Sequence, residues 1–155
     1  MARNRTDVKF TVNAAFFREI KEDHQQLQCL LDRIRQMLAL RPALANHWKE
    51  FVTLLADLRD QLAFHFALEE AYGYFEDAIE RAPRFHHTAG RLRDQHADLY
   101  LMAQQIADTG LALPPTQAEQ LAEQFIAFDT AFKSHESAEL NLILDAIQQD
   151  VGVGD

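Results

Sequence analysis

The sequence predicts an all-α protein, an up-down-up-down antiparallel four-helix bundle, and three observations carry that prediction. Apolar residues recur at three- and four-residue spacing in four long segments. The period-two alternation that strands require is almost nowhere found. The 5 Gly and 4 Pro residues fall mostly where those segments would end. At 155 residues the chain is long enough for one core, and short connections between long helices favour antiparallel neighbours.

The first helix is expected from Asn13, a good N-cap, with Phe17, Ile20, His24, Leu27, Leu31, Ile34 and Leu38 on one face. Arg41-Pro42 ends it, because the residue before a proline is pushed out of the helical region. The second starts after Asn46 and carries Phe51, Leu55, Leu58, Leu62, His65, Glu69, Tyr72 and Phe75 to about Arg81. The third, from about Thr88 to Asp108, presents Leu92, His96, Leu99, Ala103 and Ile106, and Thr109-Gly110 reads as its stop. After the stiff Pro114-Pro115 turn, Thr116 and Glu119 read as a capping box for the fourth. Its face runs Leu121, Phe125, Phe128, Phe132, His135, Glu139, Leu142 and Ala146. The expected organisation is a flexible N-terminal segment over 1–12, the bundle over 13–148 and a fraying tail over 149–155.

Hydrophobic residues make up 48% and charged residues 25%, a globular balance rather than a disordered one. A formal net charge of −9 with no Lys/Arg-rich run repels phosphate backbones and anionic lipid surfaces, so neither nucleic acid nor membrane is an expected partner. The basic start Met1–Thr6 is followed by no apolar stretch, and no segment approaches a membrane span. A cytoplasmic protein is the expectation. The 1 cysteine, Cys29, cannot close an internal disulfide, and in a helical pattern it reads as a core filler. Phosphate loops, Cys-x-x-Cys and Ser/His/Asp arrangements are missing.

The chemistry lies in the histidines. Each expected helix places one on its apolar face: His24, His65, His96 and His135. In two of them a glutamate follows four residues later, giving His65-x-x-x-Glu69 and His135-x-x-x-Glu139, a spacing that stacks both side chains on one helix face. Burying these groups is costly unless they share a partner. A mixed set of imidazoles and carboxylates suits iron or manganese better than structural zinc, and it is shared more naturally by two ions than by one, with Glu69 and Glu139 as bridges. His47, His86 and His87 fall at helix starts or in a connection and are read as solvent-facing, and Glu70 is at most an outer or alternative ligand.

The segments Glu22-Asp23-His24, His65-Phe66-Ala67-Leu68-Glu69-Glu70, Asp94-Gln95-His96 and Ser134-His135-Glu136-Ser137-Ala138-Glu139 resemble the signature helices of hemerythrin-like, or HHE cation-binding, domains. The resemblance covers nearly the whole chain, Asn13 to Gln148. It implies a non-haem centre of two Fe ions with an oxo or hydroxo bridge, held by His24, His65, Glu69, His96, His135 and Glu139. The functions it implies include reversible dioxygen carriage, oxygen or nitric oxide sensing, iron sensing and repair of damaged iron–sulfur centres. The expectation for this chain is binding of dioxygen, nitric oxide or peroxide, with an iron- or redox-responsive module acting through a protein partner as the alternative. An oxidase- or peroxidase-like activity stays open beside them. Oxygen carriers of the family have a further histidine four residues after the third-helix one, where this chain has Tyr100. Tyr100 either supplies a phenolate or packs beside the site, and sensing or redox chemistry is expected ahead of oxygen transport.

Overall fold

A computed structural model of the chain describes residues 4–71 and 83–153. Its helices are α1 (Asn4–Ala39), α2 (Trp48–Ala71), α3 (His86–Ala112) and α4 (Ala118–Val153). Short 3-10 segments, Arg41–His47, Pro83–Phe85 and Pro115–Gln117, join or precede them, and each contains a proline, which has no N–H to give to a helical ladder. Among the described residues there is no strand, so the expected class holds.

Every neighbouring pair of helices runs antiparallel. Arg33 of α1 reaches Glu50 of α2 while Asp23 reaches His65, so rising numbers on one helix meet falling numbers on the other. The same reversal relates α3 to α4, where Gly110 lies beside Leu121 and Gln95 meets His135. The ring closes between α1 and α4, where Arg35 meets Asp129 and Gln28 meets Glu136. That last seam is polar. Arg35 grips Asp129 with two hydrogen bonds, Nε to Oδ2 at 3.0 Å and Nη2 to Oδ1 at 2.6 Å, a fork that fixes the relative height of the two helices.

Inside, Leu27, Leu31 and Ile34 of α1 meet Phe51, Leu58 and Leu62 of α2, Leu99 and Ile106 of α3, and Phe125, Phe128 and Phe132 of α4. Each such fully buried side chain contributes about 1.5–3 kcal/mol relative to exposure, and together they hold the helices at fixed rotation. The Phe128 and Phe132 rings stack 5.8 Å apart. A smaller cluster of Ala89, Leu92 and Leu142 lies beyond the candidate site. Among the described residues no helix is long and apolar enough to cross a membrane.

Several local expectations are corrected. The first helix begins at Asn4 rather than Asn13, and the fourth continues to Val153. Gly110 does not end α3. It is buried within the helix, where an added Cβ would meet Leu121 Cδ2 at 3.4 Å and Val52 Cγ2 at 3.5 Å, so its missing side chain lets α3 lie close to α2 and α4. The stop is Leu113, extended at φ −85° and ψ 144° before Pro114. Glu119, expected to cap α4, instead pairs with Arg41 at 2.6 Å. Cys29 is exposed and not a core filler. Tyr72, Phe75 and the end of the second helix lie outside the described residues, as do the side chains of Phe17 and Ala146.

Two α3 glycines test this reading with opposite signs. Gly90 is exposed with nothing within 4 Å of an added Cβ, so Gly90→Ala is expected to stabilise the chain. The gain should be about 1 kcal/mol from helix propensity. Gly110→Val is expected to cost about 1–3 kcal/mol by overpacking, and denaturant unfolding of both variants measures the difference.

Candidate metal centre

The α2 and α4 motifs each place a histidine and a glutamate one turn apart on the core face. His65 Nε2 lies 2.9 Å from Glu69 Oε1, and His135 Nε2 lies 2.6 Å from Glu139 Oε1. From α3, His96 enters between the two pairs, its Nε2 3.1 Å from Glu69 Oε2 and 3.3 Å from Glu139 Oε1. Donor atoms of Glu69, His96, His135 and Glu139 all fall within 4.8 Å of one another, and all four residues are buried.

A regular orientation runs through the three imidazoles. Each turns Nε2 inward to the carboxylates and Nδ1 outward to a separate acceptor. His65 Nδ1 donates to Asp23 Oδ2 at 2.5 Å, and Gln61 Nε2 donates to the other oxygen, Asp23 Oδ1, at 2.7 Å. His135 Nδ1 donates to Gln95 Oε1 at 2.8 Å, and His96 Nδ1 faces Glu70 Oε1 at 3.3 Å. An acceptor on the outer nitrogen holds the proton there and leaves the inner lone pair for a metal, the arrangement that orients metal-binding histidines.

The cluster does not satisfy itself. Glu69 Oε2 and His135 Nε2 are buried with no partner in hydrogen-bonding geometry, although charged neighbours lie within ion-pair distance. Buried polar atoms seldom go unpaired, and a shared cation is a partner these lone pairs are placed to accept. Donors of imidazole and carboxylate type also match a divalent first-row metal. The residues therefore fit a metal. Aromatic rings close the site from the core side: Phe66 stacks on His96 at 4.1 Å and 9°, and Phe132 lies under His65 and His135 at 6.3 and 6.5 Å.

Without a metal, protons do the pairing. Burial opposes a charge on His65, but hydrogen bonds to Asp23 and Glu69 and their negative charges outweigh it and raise its pKa to about 10. His96 is likewise opposed by burial and raised to about 9 by Glu139 and Glu69. Burial pushes Glu69 up, yet the two histidines overcome that and lower it to about 2.

Five of the six residues expected to ligate thus meet on the bundle axis. His24 does not: it is exposed, and the buried place on that turn belongs to Asp23, in line with Leu27, Leu31, Ile34 and Leu38. His24 instead lines a cleft whose wall includes His65 and Glu139. Tyr100 is half-buried on α3. His47, His86 and His87 are exposed, as expected. Sequence reasoning missed Asp23, Gln61 and Gln95. A signal for Asp23 exists, since it stands four residues before Leu27 and so shares that residue's face.

A family model described as the hemerythrin HHE cation binding domain matches residues 15–147. Comparisons with curated proteins and with solved structures give no match.

Two outcomes are expected of the isolated chain. In its metal-free form, His65 and His96 contribute stability fully below their unfolded value of 6.5, and lose it as pH rises through about 9 to 10. Glu69 contributes above its unfolded 4.5 and loses its part as pH falls toward about 2. Thermal melting of chelator-treated protein should therefore show a midpoint that declines from pH 6.5 toward 10. Asp23→Asn leaves one acceptor oxygen for two donors, His65 and Gln61. Metal retention in a chelator competition should drop about 10–100-fold. His86→Ala should leave it unchanged.

Proposed function

The chain belongs to the hemerythrin HHE cation-binding domain family, and from that membership and the buried His/Glu cluster we propose that it holds two iron ions and binds a small oxidant or signalling molecule there. The observation that carries this reading is the shared orientation of His65, His96 and His135, each with its inner nitrogen aimed at Glu69 or Glu139 and its outer nitrogen held by another residue. Such a cluster is prepared for a cation before one arrives. Glu69 and Glu139 would be the groups with oxygens to share between two ions, and the three imidazoles would be terminal donors. His24, on the wall of the adjoining cleft, would be the sixth donor and would have to turn inward from its exposed position.

Bound iron supplies an open coordination position and one-electron chemistry suited to dioxygen, nitric oxide or peroxide. The chain's own contribution is to orient the donors, to keep Phe66 and Phe132 against the rings so that bulk water stays out on that side, and to hold protons on the outer histidine nitrogens. Sensing or redox use is favoured over oxygen transport by Tyr100. It stands where carriers of the family offer another imidazole. We assign Tyr100 to packing beside the site.

Anaerobic loading followed by metal analysis should give about two iron atoms per chain, as the number of shared carboxylates suits. A plateau at one ion, or preferential retention of zinc, would sink the two-iron reading. Cycling the reduced protein between argon and oxygen should convert it irreversibly to a ferric form. Repeated recovery of the reduced spectrum without added reductant would restore the carrier reading. Tyr100→Phe should leave the visible spectrum unchanged, and loss of a broad band would instead make the phenolate a ligand.

A further inference from the structure

The donors of the centre fall into two groups. Glu69, His96, His135 and Glu139 bring one ligand atom each within 4.8 Å of one another, imidazole nitrogens and carboxylate oxygens drawn from α2, α3 and α4. His65 is not among them. Among the described residues, the buried side-chain atoms without a hydrogen-bond partner are Glu69 Oε2 and His135 Nε2, and both belong to that group of four. His65 is engaged on both nitrogens, with Asp23 on Nδ1 and Glu69 Oε1 2.9 Å from Nε2. His24, the remaining imidazole, is exposed on the wall of a cleft of about 850 Å³ that reaches His65 and Glu139.

The two groups offer a cation unequal terms. An ion at the group of four gives both orphaned atoms a partner and finds its donors already gathered, so little of its binding free energy goes into ordering side chains. An ion held by His65 has to displace Glu69 from Nε2 and to fix the exposed His24 side chain in one rotamer, and both costs lower its affinity. Repulsion between neighbouring cations weakens the later arrival in any paired centre. In this chain the later place is also the one that is not preformed.

We propose that the centre fills in a fixed order. The first divalent ion takes Glu69, His96, His135 and Glu139; the second, held by His65 and by His24 turned in from the cleft, binds more weakly and leaves first. This rests on the two-ion reading and adds that the two places differ in kind. Because repulsion alone gives two steps, the residues that serve each step are what decide it.

Cobalt(II) is a suitable probe, a divalent first-row ion whose visible spectrum and paramagnetically shifted proton signals report imidazole ligands. Titration of the metal-free chain against a chelating indicator should show two steps, with dissociation constants at least about tenfold apart for the side chain ordered and the contact given up. His24→Ala, at an exposed position, should abolish the weaker step and leave the tighter one within about twofold, as for a side chain that takes no part in it. The melting temperature of the metal-free variant should not change, which separates a donor from a structural residue. In proton spectra the ring N–H signal of His65, assigned by its shift in Asp23→Asn, should move only with the second equivalent of cobalt. Two ions bound in one step, a weaker step that survives His24→Ala, loss of the tighter step in that variant, or a His65 signal moved by the first equivalent overturns the ordered filling and leaves the two-ion reading standing. Saturation at one cobalt ion ends the two-ion reading and this proposal together.

Discussion

Asp23, His65, Glu69, His96, His135 and Glu139 are buried together in the middle of an otherwise apolar bundle. Removing a charged group from water costs several kcal/mol unless a partner is supplied at close range, so each of these side chains constrains the helix beside it. Because α1, α2, α3 and α4 each contribute at least one member, no helix can slide past its neighbours without stranding a charge. A slip of one turn, about 5.4 Å, exceeds every hydrogen bond in the layer. The apolar core gives the bundle its cohesion, and the polar layer gives it its register.

The same constraint couples fold to chemistry. Phe66 and Phe132 belong to the main core, yet their rings lie against His96, His65 and His135. Core packing therefore fixes the rotation of the imidazoles from one side, while Asp23, Glu70 and Gln95 fix it from the other. With ring plane and proton position both set, the inner nitrogens of three histidines converge without needing the cation to gather them. Preorganisation of this kind lowers the ordering entropy that binding would otherwise have to offset.

Much of this was legible in the sequence. Four amphipathic periods announced the helices, and the two His-x-x-x-Glu pairs marked a shared face because a four-residue step returns to the same side of a helix. Helix phase was the weak point. Both Asp23 and His24 stand at helical spacing from Leu27, one at four residues and one at three, and only packing against Gln61 and His65 decides that Asp23 turns in. Gly110 was misread for a similar reason. A glycine near a helix end signals either a terminator or a close approach, and the approach of Leu121 and Val52 is information held by other helices. Gln95 stood inside the Asp94-Gln95-His96 segment but its role was not legible there, since that role comes from the position of His135 on a neighbouring helix.

The polar layer also divides the interior into unequal parts. On one side lies the extended core; on the other, among the described residues, Ala89, Leu92 and Leu142 form a second cluster with Phe85 and Ala138 packed against it. Glu69, His96 and Glu139 tie α2, α3 and α4 together between the two. A rearrangement of the layer is thus passed to apolar packing on both of its faces, toward Leu92 and Leu142 on one and toward Phe66 and Phe132 on the other.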